Sequence, residues 1–176
     1  KQFTQVVQTL ANRWLLQFRY GLKILLVKEV NAPWFQARLQ STDAGIILGF
    51  EQIFQPATIQ RFHSLVNFHP SLLPWYRGPE PGYWVLANQE SYTGFTVHEV
   101  TEQIDEGKIL YQEMLPIRHE DTPEQLYYRI AETAKPTFWR YLQYLHHGGE
   151  WPIVQLDASA IYNTHQAYAP RSHQVI

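Results

Sequence analysis

Asn67 and His69 stand two residues apart at the end of a short apolar run, immediately before Pro70. If that run is a strand, the two side chains project to the same face. A carboxamide beside an imidazole can hold and polarise a carbonyl oxygen, and the pair can stabilise an oxyanion as it forms. Asp105, in a loop beside the turn-forming Gly107, supplies a carboxylate that can orient the imidazole and take a proton directly or through water. Each residue taken singly also has a structural role open to it: Asn67 as a strand-ending turn residue, His69 as a satisfied core histidine, Asp105 as a turn cap. Ser71 follows closely but lacks the glycine-flanked elbow of a serine hydrolase, and reads as loop structure. His98 faces either the site or solvent. His146 and His147 sit where a helix C-terminus favours positive charge. His63, His119, His165 and His173 form no ligand spacing, and no metal is expected.

The elements that must position these groups alternate along the chain. Phe3, Val6, Val7, Leu10 and Trp14 follow helical spacing, Gly21 ends that segment, and residues 22–27 read as a fully apolar strand. Asn31-Ala32-Pro33 looks like a helix cap followed by a first-turn proline, opening a helix through Leu39. Residues 44–50 and 64–68 read as further strands with a short helix over 56–62 between them. A helix is expected over 82–88, then β segments over 93–100 and 108–116 flanking a hairpin-like TEQIDEG excursion. Thr122 and Gln125 match a capping box for a long final helix. That helix carries Leu126, Ile130, Ala134, Phe138 and Leu142 on one face. Pro136 should kink or restart it, and Gly148-Gly149 should stop it. Strands alternating with helices predict an α/β domain with a mostly parallel sheet and a site at the carboxyl ends of its strands. Residues 1–150 are expected to form one catalytic domain and 151–176 a tail.

Composition narrows the classes. A chain of 176 residues, 45% hydrophobic, can bury one real core. The absence of cysteine excludes disulfides, thiolate catalysis and cysteine-ligated metals. A net charge of −2 lacks the basic footprint of a nucleic-acid binder. No run approaches the ~18 apolar residues of a membrane span, and the first residues lack a signal-peptide core. A soluble cytoplasmic protein with neither nucleic-acid nor membrane partner is the expectation.

The stretches VNFHPSLLPWYRGPEPGYW and TGFTVHEVTEQIDEGKIL resemble the 10-formyltetrahydrofolate-dependent formyltransferases, among them glycinamide ribonucleotide transformylase, methionyl-tRNA formyltransferase and the amino-sugar formyltransferases. The family's Asn-x-His-Pro-Ser-Leu-Leu-Pro run, Thr-Gly-x-Thr word and Asp-x-Gly loop stand here at residues 67–74, 93–96 and 105–107, and the resemblance runs from about residue 44 to 145. It implies that Asn67 and His69 polarise the formyl group and that Asp105 sets the histidine and helps remove the amine proton. It places the pterin ring between the strand end at Ile47, Leu48, Gly49, Phe50 and Ile53 and the loop at Gln103, Ile104 and Gly107, held largely through backbone. Ser71, Tyr76, Arg77 and Gly78 fall where the acceptor substrate is engaged. Arg77 is a candidate for a phosphate, or else a solvated loop arginine.

The fold so implied is a Rossmann-like sheet with flanking helices, N-terminally shortened by its first strands and glycine turn. Sheet edges left bare by that shortening would be covered by a second copy of the chain, by a partner chain or by the aromatic-rich tail. The implied function is formyl transfer from 10-formyltetrahydrofolate, as co-substrate, to a small-molecule amine. The Pro-x-Tyr-Arg-Gly run is closer to the sugar and tRNA branch than to the purine branch, and the charge balance disfavours tRNA as acceptor. A formyltetrahydrofolate hydrolase and a non-catalytic folate-binding or assembly module are the alternatives.

Overall fold

The structure is a computed structural model that describes residues 27–41, 43–147 and 151. The chain divides into two compact units, residues 1–30 and 31–176; the elements below belong to the second. The helix expected from Phe3 to Trp14, all but the last residue of the strand expected over 22–27, the Gly148-Gly149 stop and the tail beyond Trp151 lie outside the described residues.

The order is α1 (Pro33–Gln36), β1 (Ala44–Leu48), α2 (Pro56–Ile59), β2 (Ser64–His69), α3 (Pro81–Ala87), β3 (Tyr92–Glu99), β4 (Ile109–Pro116) and α4 (Pro123–His147). The strands form one sheet in the order β1-β2-β3-β4. β1 and β2 are parallel, joined by a crossover through α2, whereas β2–β3 and β3–β4 pair antiparallel. The α/β class is as expected. The described sheet is mixed, because the short loop between β3 and β4 can only return the chain as a hairpin. No helix among the described residues is long and apolar enough to cross a membrane.

Strand register gives the sheet two faces of different chemistry. On one face Val66, Phe68, Phe95, Val97 and Leu115 pack with Leu126, Ile130 and Tyr141 of α4 and Val85 of α3. Phe68 and Phe95 stack there at 6.3 Å with an interplanar angle of 7°. The long helix opens on the expected capping box: Gln125 Oε1 accepts the Thr122 N–H at 2.9 Å, and the Gln125 N–H reaches Thr122 Oγ1 at 3.3 Å. It then runs unbroken through Pro136. Pro136 is exposed, so water can serve the carbonyl its missing N–H leaves open, and burial of Ile130, Thr137 and Tyr141 holds the turns on either side.

The opposite face is polar. Asn67 pairs with His98 and His69 with Thr96 across β2 and β3, and Thr96 pairs with Gln112 of β4. Thr96 Oγ1 accepts the Leu73 N–H at 3.0 Å and donates to Ser71 O at 2.7 Å. Gln112 Nε2 donates to Leu73 O at 2.8 Å and to Thr96 Oγ1 at 2.9 Å. These buried bonds fasten the 70–74 loop, with its cis Leu73–Pro74 peptide, onto the sheet. α1 ends sooner than the expected Leu39, and its N-cap is Ala32; the Asn31 side chain does not cap it.

Candidate active site

A cleft of about 760 Å³ opens at the carboxyl ends of β1 and β2, where open α/β sheets place their ligands. Asn67 and His69 stand at its floor because β2 ends at His69 and period-two alternation aims both side chains the same way. Asp105 joins them from the β3–β4 loop. It adopts a left-handed backbone, φ +53°, which aspartate tolerates better than most residues. The loop is anchored when Asp105 Oδ2 accepts the Gly78 N–H at 2.8 Å.

The three residues meet as a network with a fourth, His98. Asp105 Oδ2 lies 3.4 Å from His69 Nδ1, and its Oδ1 lies 3.3 Å from His98 Nε2. The Asn67 amide nitrogen sits between them, 3.3 Å from Asp105 Oδ1 and 3.2 Å from His98 Nε2. Backbone carbonyls fix the far side of each ring: His69 Nε2 donates to Tyr76 O at 2.8 Å, and His98 Nδ1 donates to Glu99 O at 2.8 Å. In a neutral His98, Nε2 therefore accepts one Asn67 proton while the other goes to Asp105. A direct His98–Asp105 hydrogen bond exists only when Nε2 carries a proton.

Burial lowers the His69 pKa from its ordinary 6.5; Asp105 and the Tyr76 carbonyl pull upward, and His98 adds to the lowering. The ring is thus neutral near pH 7, with an unprotonated Nδ1 facing a carboxylate that can stabilise an arriving proton. Burial pushes Asp105 upward too, but contacts with His98 and His69 and the Gly78 N–H outweigh it and hold the carboxyl down at about 2. It stays ionised whichever ring carries a proton, because the Gly78 and Asn67 N–H groups donate to it in either case.

The remaining sequence candidates divide. Ile47, Gly49, Phe50, Ile53, Gln103, Ile104 and Gly78 line the cleft. Leu48 points away from it, 58% exposed, as strand alternation after Ile47 requires. Ser71 is fully buried and donates to Trp75 O at 2.8 Å and Tyr76 O at 3.2 Å, so it is a loop brace out of a substrate's reach. Tyr76 contributes its carbonyl to His69, while its hydroxyl donates to Glu90 away from the cleft. Arg77 is off the wall, and its exposed guanidinium pairs with Glu106 at 2.7 Å. Gly107 lies against β3, where an added Cβ would meet Glu99 O at 1.8 Å.

His98 is the site residue that the sequence left undecided. β3 reads eight residues with six consecutive buried positions, so its composition gives no exposed face to orient by. The register shift opposite Val97/His98 leaves Leu110 of β4 as the extra residue, and β3 itself alternates regularly, placing His98 on the same face as Thr96.

Fold and site together define an α/β domain whose cleft brings an amide, an imidazole and a carboxylate within hydrogen-bonding reach of one another. The family model described as formyl transferase matches residues 28–142, and the chain belongs to that family. Over 123 residues it is 37% identical to a methionyl-tRNA formyltransferase of Synechococcus sp. (strain JA-3-3Ab), an alignment covering 69% of this chain and 38% of that protein. The chain thus spans less than half the length of that curated relative. Among solved structures, glycinamide ribonucleotide transformylase 1 from Symbiobacterium toebii is similar at 32% identity and a TM-score of 0.52, covering 55% of this chain and 46% of that one. A sugar N-formyltransferase from Shewanella sp. FDAARGOS_354 is similar at 25% identity and a TM-score of 0.61, covering 73% and 52%.

Proposed function

We propose that this chain transfers a formyl group from 10-formyltetrahydrofolate to a small-molecule amine, with Asn67, His69 and Asp105 carrying the chemistry. The observation behind this reading is their convergence on one cleft floor as an amide donor, an imidazole kept neutral by burial and an ionised carboxylate. The cleft wall suits the folate. Ile47, Phe50, Ile53, Phe54 and Ile104 offer apolar contact for a flat ring, and two loops, at 49–54 and 101–105, offer backbone groups to its edges. Phe50, Ile53 and Ile104 are 43%, 61% and 54% exposed, apolar surface that a bound ring would cover.

In the reaction the amine nitrogen bonds to the formyl carbon and the carbonyl electrons move onto oxygen. An Asn67 proton, yielded by its weaker partner His98, stabilises that oxygen. His69 Nδ1 takes the proton lost by the amine, and Asp105 stabilises the imidazolium so formed. The bond from carbon to the folate nitrogen then breaks, the proton passes to that nitrogen, and a formamide and tetrahydrofolate leave.

The test is formyl release from 10-formyltetrahydrofolate, with and without a panel of amines, compared with His69→Ala. Amino-sugar nucleotides, glycinamide ribonucleotide and methionyl-tRNA belong in the panel, the last because a relative bears that name. Turnover that requires one amine and disappears in His69→Ala supports the reading and names the acceptor. Amine-independent turnover makes the chain a hydrolase. Folate bound intact with every amine makes it a binding module.

Because burial depresses His69, the limb that His69 contributes to kcat/KM should lie below the ordinary histidine value of 6.5, as the base is lost to protonation, and separate from the limb set by ionisation of the acceptor amine. Stability follows the same sign. The unfolded chain takes up a proton at His69 before the folded chain does, so the Tm contribution is complete above 6.5 and declines on acidification. An acid limb above neutrality that stays in place when acceptor amines of different basicity are compared would remove neutral His69 from the reaction.

A further inference from the structure

Asn31 precedes α1 without capping it, and its side chain is used elsewhere. Nδ2 donates to Ile53 O at 2.9 Å, and Oδ1 accepts the Gln55 N–H at 2.8 Å and the Thr58 hydroxyl at 2.9 Å. Gln36 Nε2 buttresses the same knot, donating to Asn31 O at 3.1 Å and Thr58 Oγ1 at 2.9 Å. Thr58 is fully buried, so the knot has a fixed base.

The segment so held runs from Gly49, at φ +58°, to the start of α2. It lies between β1 and α2, outside the strand ladder, and its Phe50 and Ile53 side chains are too exposed to be fixed by burial. Phe54 helps, with Phe50 at 5.9 Å and Phe62 at 6.3 Å. The bonds from Asn31 reach the backbone on either side of Phe54. A carboxamide presents one donor and one acceptor in a single plane, as a peptide group does, and so can pair with a backbone C=O and N–H of the same segment. Aspartate lacks the donor; serine and threonine lack the reach.

We infer that Asn31 is a positioning residue for the folate side of the cleft, its carboxamide holding the backbone from Ile53 to Gln55 so that the 50–54 wall is preformed for the pterin ring. This rests on the reading of the site as a formyltetrahydrofolate site. A preformed wall spares the ligand the cost of ordering that segment on binding. The effect of losing Asn31 therefore falls on folate affinity and leaves the Asn67–His69–Asp105 network untouched.

The experiment compares wild type with Asn31→Ala and Asn31→Asp in the full chain. It measures folate dissociation constant, KM for the acceptor amine, kcat at saturation, and amide hydrogen exchange. In Asn31→Ala the folate constant should rise by about tenfold or more, with amine KM and kcat at saturating folate each within about threefold of wild type. Exchange should quicken over 51–55 and stay unchanged at Phe95 and Val97 in the core. Asn31→Asp, which sets a carboxylate oxygen against the Ile53 carbonyl oxygen where the amide donated at 2.9 Å, should raise the folate constant at least as far as the alanine variant. A purely structural role would lower the active fraction, and with it kcat, without moving folate affinity; that result, or an unchanged folate constant in the folded variant, overturns the inference. A wild-type chain that binds no folate overturns the reading of the site and this inference with it.

Discussion

Asp105→Asn should lower kcat for formyl transfer by about 10³-fold, within the range proton-transfer groups usually supply. The folate dissociation constant should change by no more than about threefold. The substitution is nearly isosteric, and asparagine tolerates the left-handed backbone at φ +53°, so the loop keeps its path. The hydrogen bonding does not survive. If the new amide oxygen accepts the Gly78 N–H in place of Oδ2, the new NH2 occupies the Oδ1 position. It then lies about 3.3 Å from the Asn67 nitrogen, donor against donor. His69 Nδ1 also loses the charge that would stabilise its proton. Single-turnover rates and equilibrium folate binding on the same preparation separate the two effects. A loss below about tenfold would remove Asp105 from the proton path.

Much of this network is legible in the chain because its first members are local. Asn67 and His69 are two apart on an apolar run closed by a proline, and alternation alone aims them together. The α4 start is equally local, with Thr122 and Gln125 three apart and bonded as a capping box. What the sequence left open involves partners distant along the chain. Arg77 meets Glu106 across 29 positions, and nothing near Arg77 marks it as neutralised. Asn31 has the residue type and position of a helix cap, yet its amide bonds to a segment more than 20 residues away.

The same distinction governs the sheet. Apolar runs mark β1 and β2 as strands and alternation marks β3, but strand direction depends on how the connections run. The crossover through α2 makes β1 and β2 parallel; the loop that carries Asp105 makes β3 and β4 a hairpin. That hairpin has a functional consequence. It returns the chain across the mouth of the site, so that the carboxylate arrives on a loop whose two ends are both fixed by strands. In β3, where both faces are buried, periodicity cannot tell core from site, and His98 becomes a site residue only once Asn67 is paired opposite it.

Gly107→Ala should reduce kcat by about 100-fold or more, the usual consequence of misplacing a catalytic group by an ångström. It should also cost on the order of 1–3 kcal/mol of stability, as overpacking does. An added Cβ would stand 1.8 Å from Glu99 O and 2.7 Å from its carbonyl carbon, both backbone atoms. That carbonyl cannot retreat freely, because Glu99 is the last residue of β3 and its N–H donates to Lys108 O at 2.9 Å. The strain must therefore move the loop end, and Asp105 is two residues away. Resemblance alone places Gly107 among the pterin contacts, in which case the alanine would weaken folate binding first and leave saturated turnover intact. The geometry reverses that order, since Gly107 is off the cleft wall and closes the hairpin that carries Asp105. Folate affinity retained beside a collapsed kcat identifies the glycine as a hinge for the carboxylate; affinity lost with kcat preserved returns it to the pterin site.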